Sequence, residues 1–335
     1  MVSRRRFLQA LTGGLLVGAM ISKRPSSTKA QERISPVSLV KTQDRRYGVR
    51  TAVSLLKINT PFKDKEIVLK PNFNSAHPFP GSTHNDTLRA LIELLKEHGA
   101  RKITVADRSG MGDTYQVMEA KGIFDLAEQL GFEAIAINEL PPEEWEHFSL
   151  EGSHWSRGVE MPKLFTHAQS IVQTCCLKTH RYGGHFTLSL KNSVGMVARY
   201  SAKDNYDYMM ELHSSPYQRE MIAEINVLYK PDLIVLDGLE AFVQGGPDRG
   251  QLEKPGVMLA ATDRVALDAV GVAILRLYKT TPEVARGKIF EHPQIKRAVE
   301  LGLGARGPQE IEIVPAPDDE SKSFAERVRE VLDLG

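Results

Sequence analysis

Five short apolar runs recur along the chain, and each closes on a polar cluster. Ile67-Val68-Leu69 closes on Lys70-Pro71-Asn72, and Ile103-Thr104-Val105-Ala106 closes on Asp107. Ile171 to Leu177 closes on Lys178-Thr179-His180, Leu233 to Leu236 on Asp237-Gly238, and Val257 to Ala261 on Thr262-Asp263. Val37 to Val40 is a further short strand candidate. Runs this short and this uniformly apolar predict strands buried on both faces. Between them the apolar spacing changes to threes and fours. Arg46 to Leu56 puts Val49, Ala52, Val53 and Leu56 on one face. Asn85 to His98 does the same with Leu88, Leu91, Ile92 and Leu95, and Gly99 is a natural stop. Gly122 to Leu130 is stopped by Gly131, and Asp263 to Tyr278 begins on an N-cap type of residue. The alternation predicts an α/β fold with a mostly parallel central sheet and helices on both faces.

With 335 residues, 41% of them hydrophobic, the chain can bury a large core. Residues 31–35 read as a linker. The stretch 36–335 suits a single α/β domain or two lobes, 36–150 and 160–335. No internal repeat is evident.

In open α/β sheets, ligands bind outside the carboxyl ends of the strands. Parallel strands here carry Lys70, Asn72, Asp107, Lys178, His180, Asp237 and Asp263 to one rim, and that convergence is the central expectation. Asp263 has a second reading as a helix cap, and Asp107 as a turn residue ahead of Ser109-Gly110.

The polar clusters differ in chemistry. Pro71 keeps Lys70 extended as the chain leaves its strand. Ser82, Thr83 and His84 precede a helix whose free N–H groups suit an anion. The segment from Lys178 to Asn192 gathers Lys178, His180, Arg181, Gly183-Gly184, His185, Lys191 and Asn192. Its histidines suit proton transfer or metal ligation, in no standard zinc spacing. Lys191 and Asn192 suit a phosphate, a carboxylate or an amide. Gln244 to Gly250 is a glycine-rich loop holding Gly246 and Pro247. It is not a phosphate loop of the Walker type, since no Lys-Ser/Thr pair follows. No nucleotide-type G-x-G-x-x-G follows the first strands, and neither G-x-S-x-G nor H-E-x-x-H occurs.

The amino terminus adds a destination. Ser3-Arg4-Arg5-Arg6-Phe7-Leu8 reads as a twin-arginine export signal, and Leu8 to Ile21 is an apolar stretch of fourteen residues. That is short of the roughly 20 that span a bilayer. With Thr28-Lys29-Ala30 as a cleavage site, residues 1–30 form a removable leader, read by the twin-arginine translocase. The expectation is a protein exported folded to the periplasm, touching membrane only through an uncleaved signal. Six of the 43 basic residues and none of the 42 acidic ones lie in the leader, so 37 face 42 beyond it, a net charge of −5. Such a balance disfavours nucleic acid as a partner. The two cysteines, Cys175 and Cys176, are adjacent in an apolar run and read as buried thiols. They cannot supply four thiolates, so no iron–sulfur cluster is expected.

Several motifs together resemble the domain-of-unknown-function family 362 of bacteria and archaea. They are Lys-Pro-Asn at 70–72, Thr83-His84 before a helix ending in His98-Gly99-Ala100, and Asp107 with Ser109-Gly110. They continue with Leu177-Lys178-Thr179-His180, Ser189-Leu190-Lys191-Asn192, Pro231 to Gly238, Gly246-Pro247, and Thr262-Asp263 through Asp268-Ala269. The likeness runs from about Pro36 to Val314. It implies a polar site at these positions, Asp268 included, and no particular reaction. Some relatives carry a ferredoxin-like segment whose cysteines are absent here.

Lys70, Lys178, His180 and Lys191 are therefore the catalytic candidates. Asn72, Thr83, His84, Asn192, Gly246 and Pro247 are the substrate-binding candidates. His180, Asp107, Asp237 and Asp263 are the candidates for a divalent metal. The first functional reading is an enzyme acting on a small anionic molecule, with or without such a metal. The alternative is a non-catalytic metal- or cofactor-binding or maturation factor exported folded. A third, an oxidoreductase accessory role, lacks both cluster cysteines and a nucleotide fingerprint.

Overall fold

Among the described residues twelve strands carry the architecture: β1 Ser35–Lys41, β2 Glu66–Lys70, β3 Lys102–Asp107, β4 Glu133–Ala136, β5 Trp145–Phe148, β6 Val159–Pro162, β7 Ser170–His180, β8 His185–Thr187, β9 Leu233–Gly245, β10 Gly250–Glu253, β11 Val257–Ala261 and β12 Ile311–Pro315. The computed structural model describes residues 34–58 and 61–335. The expected leader at 1–30, and residues 31–33 of the expected linker, lie outside the described residues. Structure begins at Ser35 rather than Pro36, because Ser35 already pairs with Ile311.

One ten-stranded sheet runs in the order β12-β1-β11-β9-β7-β2-β3-β4, with β8 paired to β7 and β10 to β9. β2, β3, β4, β7 and β9 are mutually parallel. β11 runs antiparallel to both β9 and β1. The expected mostly parallel sheet is therefore present, with β11 reversed inside it. The sheet takes strands from both 36–150 and 160–335, and Arg33–Gly335 is one compact unit, so the chain does not divide into those two lobes.

Strand alternation distributes the core over both faces. On β9, Leu233 and Val235 face the cluster built with the helices Arg45–Leu55 and Asn85–Glu97, while Ile234 and Leu236 face the cluster under the helix Arg264–Arg276. The helix Asn85–Glu97 forms where the spacing predicts it. His84 caps it, accepting from Asp86 N at 3.1 Å, and it buries Leu88, Leu91, Ile92 and Leu95. Burial of each such side chain stabilises by roughly 1.5–3 kcal/mol. Gly99, at φ +80°, turns the chain out of that helix. Cys175 and Cys176 are free and buried, and burial raises both thiols, Cys176 to about 11. Among the described residues no helix is long and apolar enough to cross a membrane.

The pairing of β7 with β9 breaks its register between Cys176 and Lys178. Cys176 faces Asp237, while Lys178, two residues on, faces Phe242. β9 thus makes an excursion over 238–241 before pairing again. That irregularity lies at the carboxyl end of β7, where the sheet opens.

Candidate functional site

The carboxyl ends of β2, β3 and β7 open onto a cleft of about 570 Å³, closed on its far side by the chain from Thr187 to Arg199 and the helix Tyr208–Ser214. Eight sequence-predicted residues line it: Lys70, Asn72, Asp107, Lys178, His180, Lys191, Asn192 and Pro247.

The floor is an ion pair. Lys70 Nζ stands 2.7 Å from Asp107 Oδ1 and donates to Asn192 Oδ1 at 3.0 Å. Asp107 also accepts from Phe73 N at 2.6 Å and Arg108 N at 2.7 Å. Burial pulls Lys70 down and Asp107 up, and their contact opposes both shifts. With three donors on one carboxylate, the charged pair is the form these contacts hold. Gly195 packs against it: a Cβ there would lie 2.5 Å from Asp107 Oδ1 and 2.9 Å from Lys70 Nζ.

Above the floor, charge is less well met. Lys178 Nζ donates to Asn72 Oδ1 at 3.0 Å, Gly81 O at 2.6 Å and Pro247 O at 3.0 Å, all neutral acceptors. Burial lowers it to about 8. Lys191 is buried, and its ammonium has no hydrogen-bond or ion-pair partner among the described residues. Burial first, then the charges of Lys178 and Arg108, lower it to about 8. His180 Nδ1 is buried without a partner among the described residues. Burial, reinforced by Lys191 and Lys178, holds this imidazole well below its usual range, hence neutral. Asn74 Nδ2 and Thr187 Oγ1, also on the cleft wall, are buried and unpartnered. Buried polar atoms are normally hydrogen-bonded, so a cluster of exceptions around one cleft marks where a ligand supplies the missing partners.

Lys191 and Asn192 owe their placement to a residue outside the cleft. They sit on the short helix Ser189–Asn192, whose first N–H groups donate to Asp268, Ser189 N at 2.8 Å and Leu190 N at 3.0 Å. Asp268 lies in the buried helix Arg264–Arg276, and burial raises its carboxyl to about 7. Its role is positioning.

Five candidates stand elsewhere. Thr83 clamps the exit from β2, accepting from Asn72 N at 2.8 Å and donating its own N–H to Asn72 O at 2.8 Å. His84 is spent on the helix cap, so the expected anion site at that N-terminus is occupied by its own side chain. Gly246 presses on Thr179 O too closely for any Cβ, and its carbonyl accepts from Arg181 Nη1 at 2.8 Å. Asp237 does not line the cleft: it is turned toward the helices Arg45–Leu55 and Asn85–Glu97, accepting from Arg45 Nε at 2.9 Å and Thr87 Oγ1 at 2.5 Å. Asp263 emerges at the other end of the sheet, because β11 runs backwards. There it caps Arg264–Arg276 and accepts from Ser35 Oγ at 2.6 Å and Ala305 N at 2.8 Å. The expected metal set is therefore not assembled. Only His180 and Asp107 share the cleft, and no group of three or more His, Cys, Asp or Glu side chains is placed to hold a metal among the described residues.

The structure also adds lining residues that the sequence reading did not single out, among them Arg108, Asn74, Arg199, Asp207 and His213. Arg108 follows Asp107 directly and was within reach of the strand-end rule. Its guanidinium donates to Val197 O and Val194 O at 2.8 Å each, tying the far wall to β3, and burial lowers it to about 10. Arg199, Asp207 and His213 belong to a connection with no strand-end signal.

A thylakoid-associated protein of Synechocystis is 26% identical over 266 residues, which cover 74% of this chain and 77% of that protein. Among solved structures, the lactate racemase apoprotein of Thermoanaerobacterium thermosaccharolyticum is 18% identical, with a TM-score of 0.45 over 73% of this chain. The chain spans 58% of that racemase's length. The match to a family is tighter than the likeness read over 36–314: it covers residues 67–273, more than half of the chain and all the strand ends that build the cleft. The chain belongs to the domain-of-unknown-function family 362.

Proposed function

We propose that the cleft binds a small anionic molecule of the carboxylate or phosphate class, with its charged group against Lys191, and exchanges a proton with it through Lys191, Lys178 or His180. One observation carries this reading: the side chain of Lys191 is buried and its ammonium meets the cleft with no counter-ion among the described residues, beside a second lysine bonded only to neutral acceptors and a neutral imidazole. Burying an unpaired charge is expensive, and an anionic ligand would offset that cost. An amine near 8 and an uncharged imidazole are suited to acid–base work close to neutral pH. A cation is less well served, since Asp107, the acidic group on the floor, already receives three donors.

The test is thermal stabilisation of the wild-type chain by inorganic phosphate, acetate and butyrate, beside Lys191→Met. The expected result is a rise in Tm with at least one of these anions, lost in the variant. An equal rise in both proteins would refute the reading. Turnover of a bound anion would separate an enzyme from a binding factor that uses the same pocket.

The leader reading remains a second, independent proposal, supported by Ser3-Arg4-Arg5-Arg6-Phe7-Leu8 and the apolar stretch behind it. Replacing Arg4 and Arg5 by lysine is expected to hold the protein in the cytoplasm of a bacterial host with an active twin-arginine route. Unchanged fractionation would remove the proposal.

A further inference from the structure

We propose that the ligand of this cleft is an amphiphile, a single anionic head with an apolar body that runs outward along Met111, Val194, Met209 and Met210 toward Tyr182. This rests on the reading of the cleft as an anion site and narrows its ligand class.

The chemistry of the lining is segregated. The deep end holds Lys178, Lys191 and His180 beside the neutralised Lys70–Asp107 pair, so its excess charge is positive. Along the outer wall, toward the mouth, Arg199 and Asp207 offset each other, burial lowers His213, and the Arg108 guanidinium is taken up by Ser109 O, Val194 O and Val197 O, so no free cation among the described residues is left there to meet a second anionic group. What it offers instead is thioether and aliphatic surface. Met209 and Met210 open the helix Tyr208–Ser214, which Asp207 caps through Met210 N at 2.8 Å. Met209 is anchored by Arg108 Nη2, 3.1 Å from its sulfur. Met210 is 67% exposed and Tyr182 49% exposed, and both line the cleft. Methionine adapts its shape to apolar ligands, and a thioether left in solvent at a pocket mouth suits that use. The volume, about 570 Å³, is in the range of sites that hold ligands far larger than an inorganic ion.

The experiment is a titration of the full chain with straight-chain monocarboxylates from acetate to octanoate, with succinate and glutarate alongside. Affinity is expected to rise about three- to fourfold per added methylene over the lengths the cleft encloses. The double variant Met209→Gln, Met210→Gln is expected to lose most of that gain. Equal affinity for acetate and octanoate would overturn the inference and leave the anion site standing. So would a preference for the dicarboxylates that Arg199→Gln abolishes, because it would place a second charge at the outer wall. If neither phosphate nor any carboxylate binds, or if binding survives Lys191→Met, it is the anion reading that fails.

Discussion

The two ends of the central sheet treat buried charge in opposite ways. At the end where β11 finishes, half-buried Asp263 accepts from Ser35 Oγ, Val265 N, Ala266 N and Ala305 N. Beside it, buried Arg264 donates to Asn226 O, Asn226 Oδ1 and Tyr229 O at 2.6–3.0 Å and lies over the Tyr229 ring. At the other end, buried Lys191 and the buried Nδ1 of His180 have no partners among the described residues. Burial alone is thus a poor guide to function. The informative quantity is how far each buried polar atom is satisfied, since unsatisfied groups cost stability that folding does not return.

The contrast is sharpest inside the cleft, where Lys70 is paired with Asp107 and Lys191 has no partner among the described residues. Lys70→Met should behave like damage at the saturated end. It strands Asp107 in the core and leaves Asn192 Oδ1 with only the longer contact from Asn72 Nδ2, at 3.4 Å. Removing one partner of a buried pair typically costs about 3–5 kcal/mol. Urea unfolding of the variant measures that loss. A loss below about 1 kcal/mol would place Lys70 with Lys191 rather than with Asp263.

Asp263→Ala should cost somewhat less, about 2–3 kcal/mol, for a lost helix cap and further unpaired donors at Ser35 and Ala305. It should leave anion-dependent stabilisation unchanged, because Asp263 lies at the far end of the sheet from the cleft. Loss of anion binding in this variant would join the two ends into one functional unit.

The position of Asp263 also shows what the sequence carried and what it did not. Each of the five apolar runs is a strand, and three of their polar endings, at Lys70, Asp107 and Lys178, meet at one cleft. An apolar run encodes burial and says nothing of direction. Direction is set by the connection: a parallel return needs a crossover of a dozen or more residues, usually a helix. The stretch 238–256 has no helical spacing, and it folds as the β9–β10 hairpin that leads into β11. That missing helix was legible and would have moved Asp263 off the rim. Asp237 needed more than sequence, because only the packing of the helices Arg45–Leu55 and Asn85–Glu97 on the sheet brings Arg45 and Thr87 to its side chain. The helix Asp319–Leu334 was also legible, with Phe324, Val328 and Leu332 at fours along one buried face. Arg199, Asp207 and His213 were not, since only the return of the chain over β3 brings them to the cleft.

Lys191→Met should reverse the sign seen at the saturated end. The variant removes an ammonium that is desolvated without a counter-ion and keeps an apolar stem of similar length. The expected change is a gain of about 1–2 kcal/mol in urea unfolding at pH 7, together with loss of stabilisation by phosphate or carboxylate. A destabilised variant would mean that Lys191 is satisfied, and the two ends of the sheet would then be alike.

The smallest effect is the most specific, because it reads the same lysine through its proton. In the folded chain Lys191 titrates near 8, against 10.5 for an ordinary lysine. Below pH 8 both the folded and unfolded states carry the proton, and the folded state bears the full cost of burying it. Between 8 and 10.5 the unfolded state binds more protons than the folded one, so stability rises with pH. From pH 7 to pH 9 the wild type should therefore gain roughly 1 kcal/mol relative to Lys191→Met. Bound anion should erase this slope. An anion holds Lys191 protonated in the folded state, which raises its folded value back toward that of the free side chain. Affinity for the anion should accordingly be near constant below pH 8 and weaken above it, with proton uptake on binding visible in calorimetry across buffers of different ionisation enthalpy. A slope that persists in saturating phosphate or octanoate would show that the ligand sits elsewhere and that the bare ammonium is a cost of the fold alone.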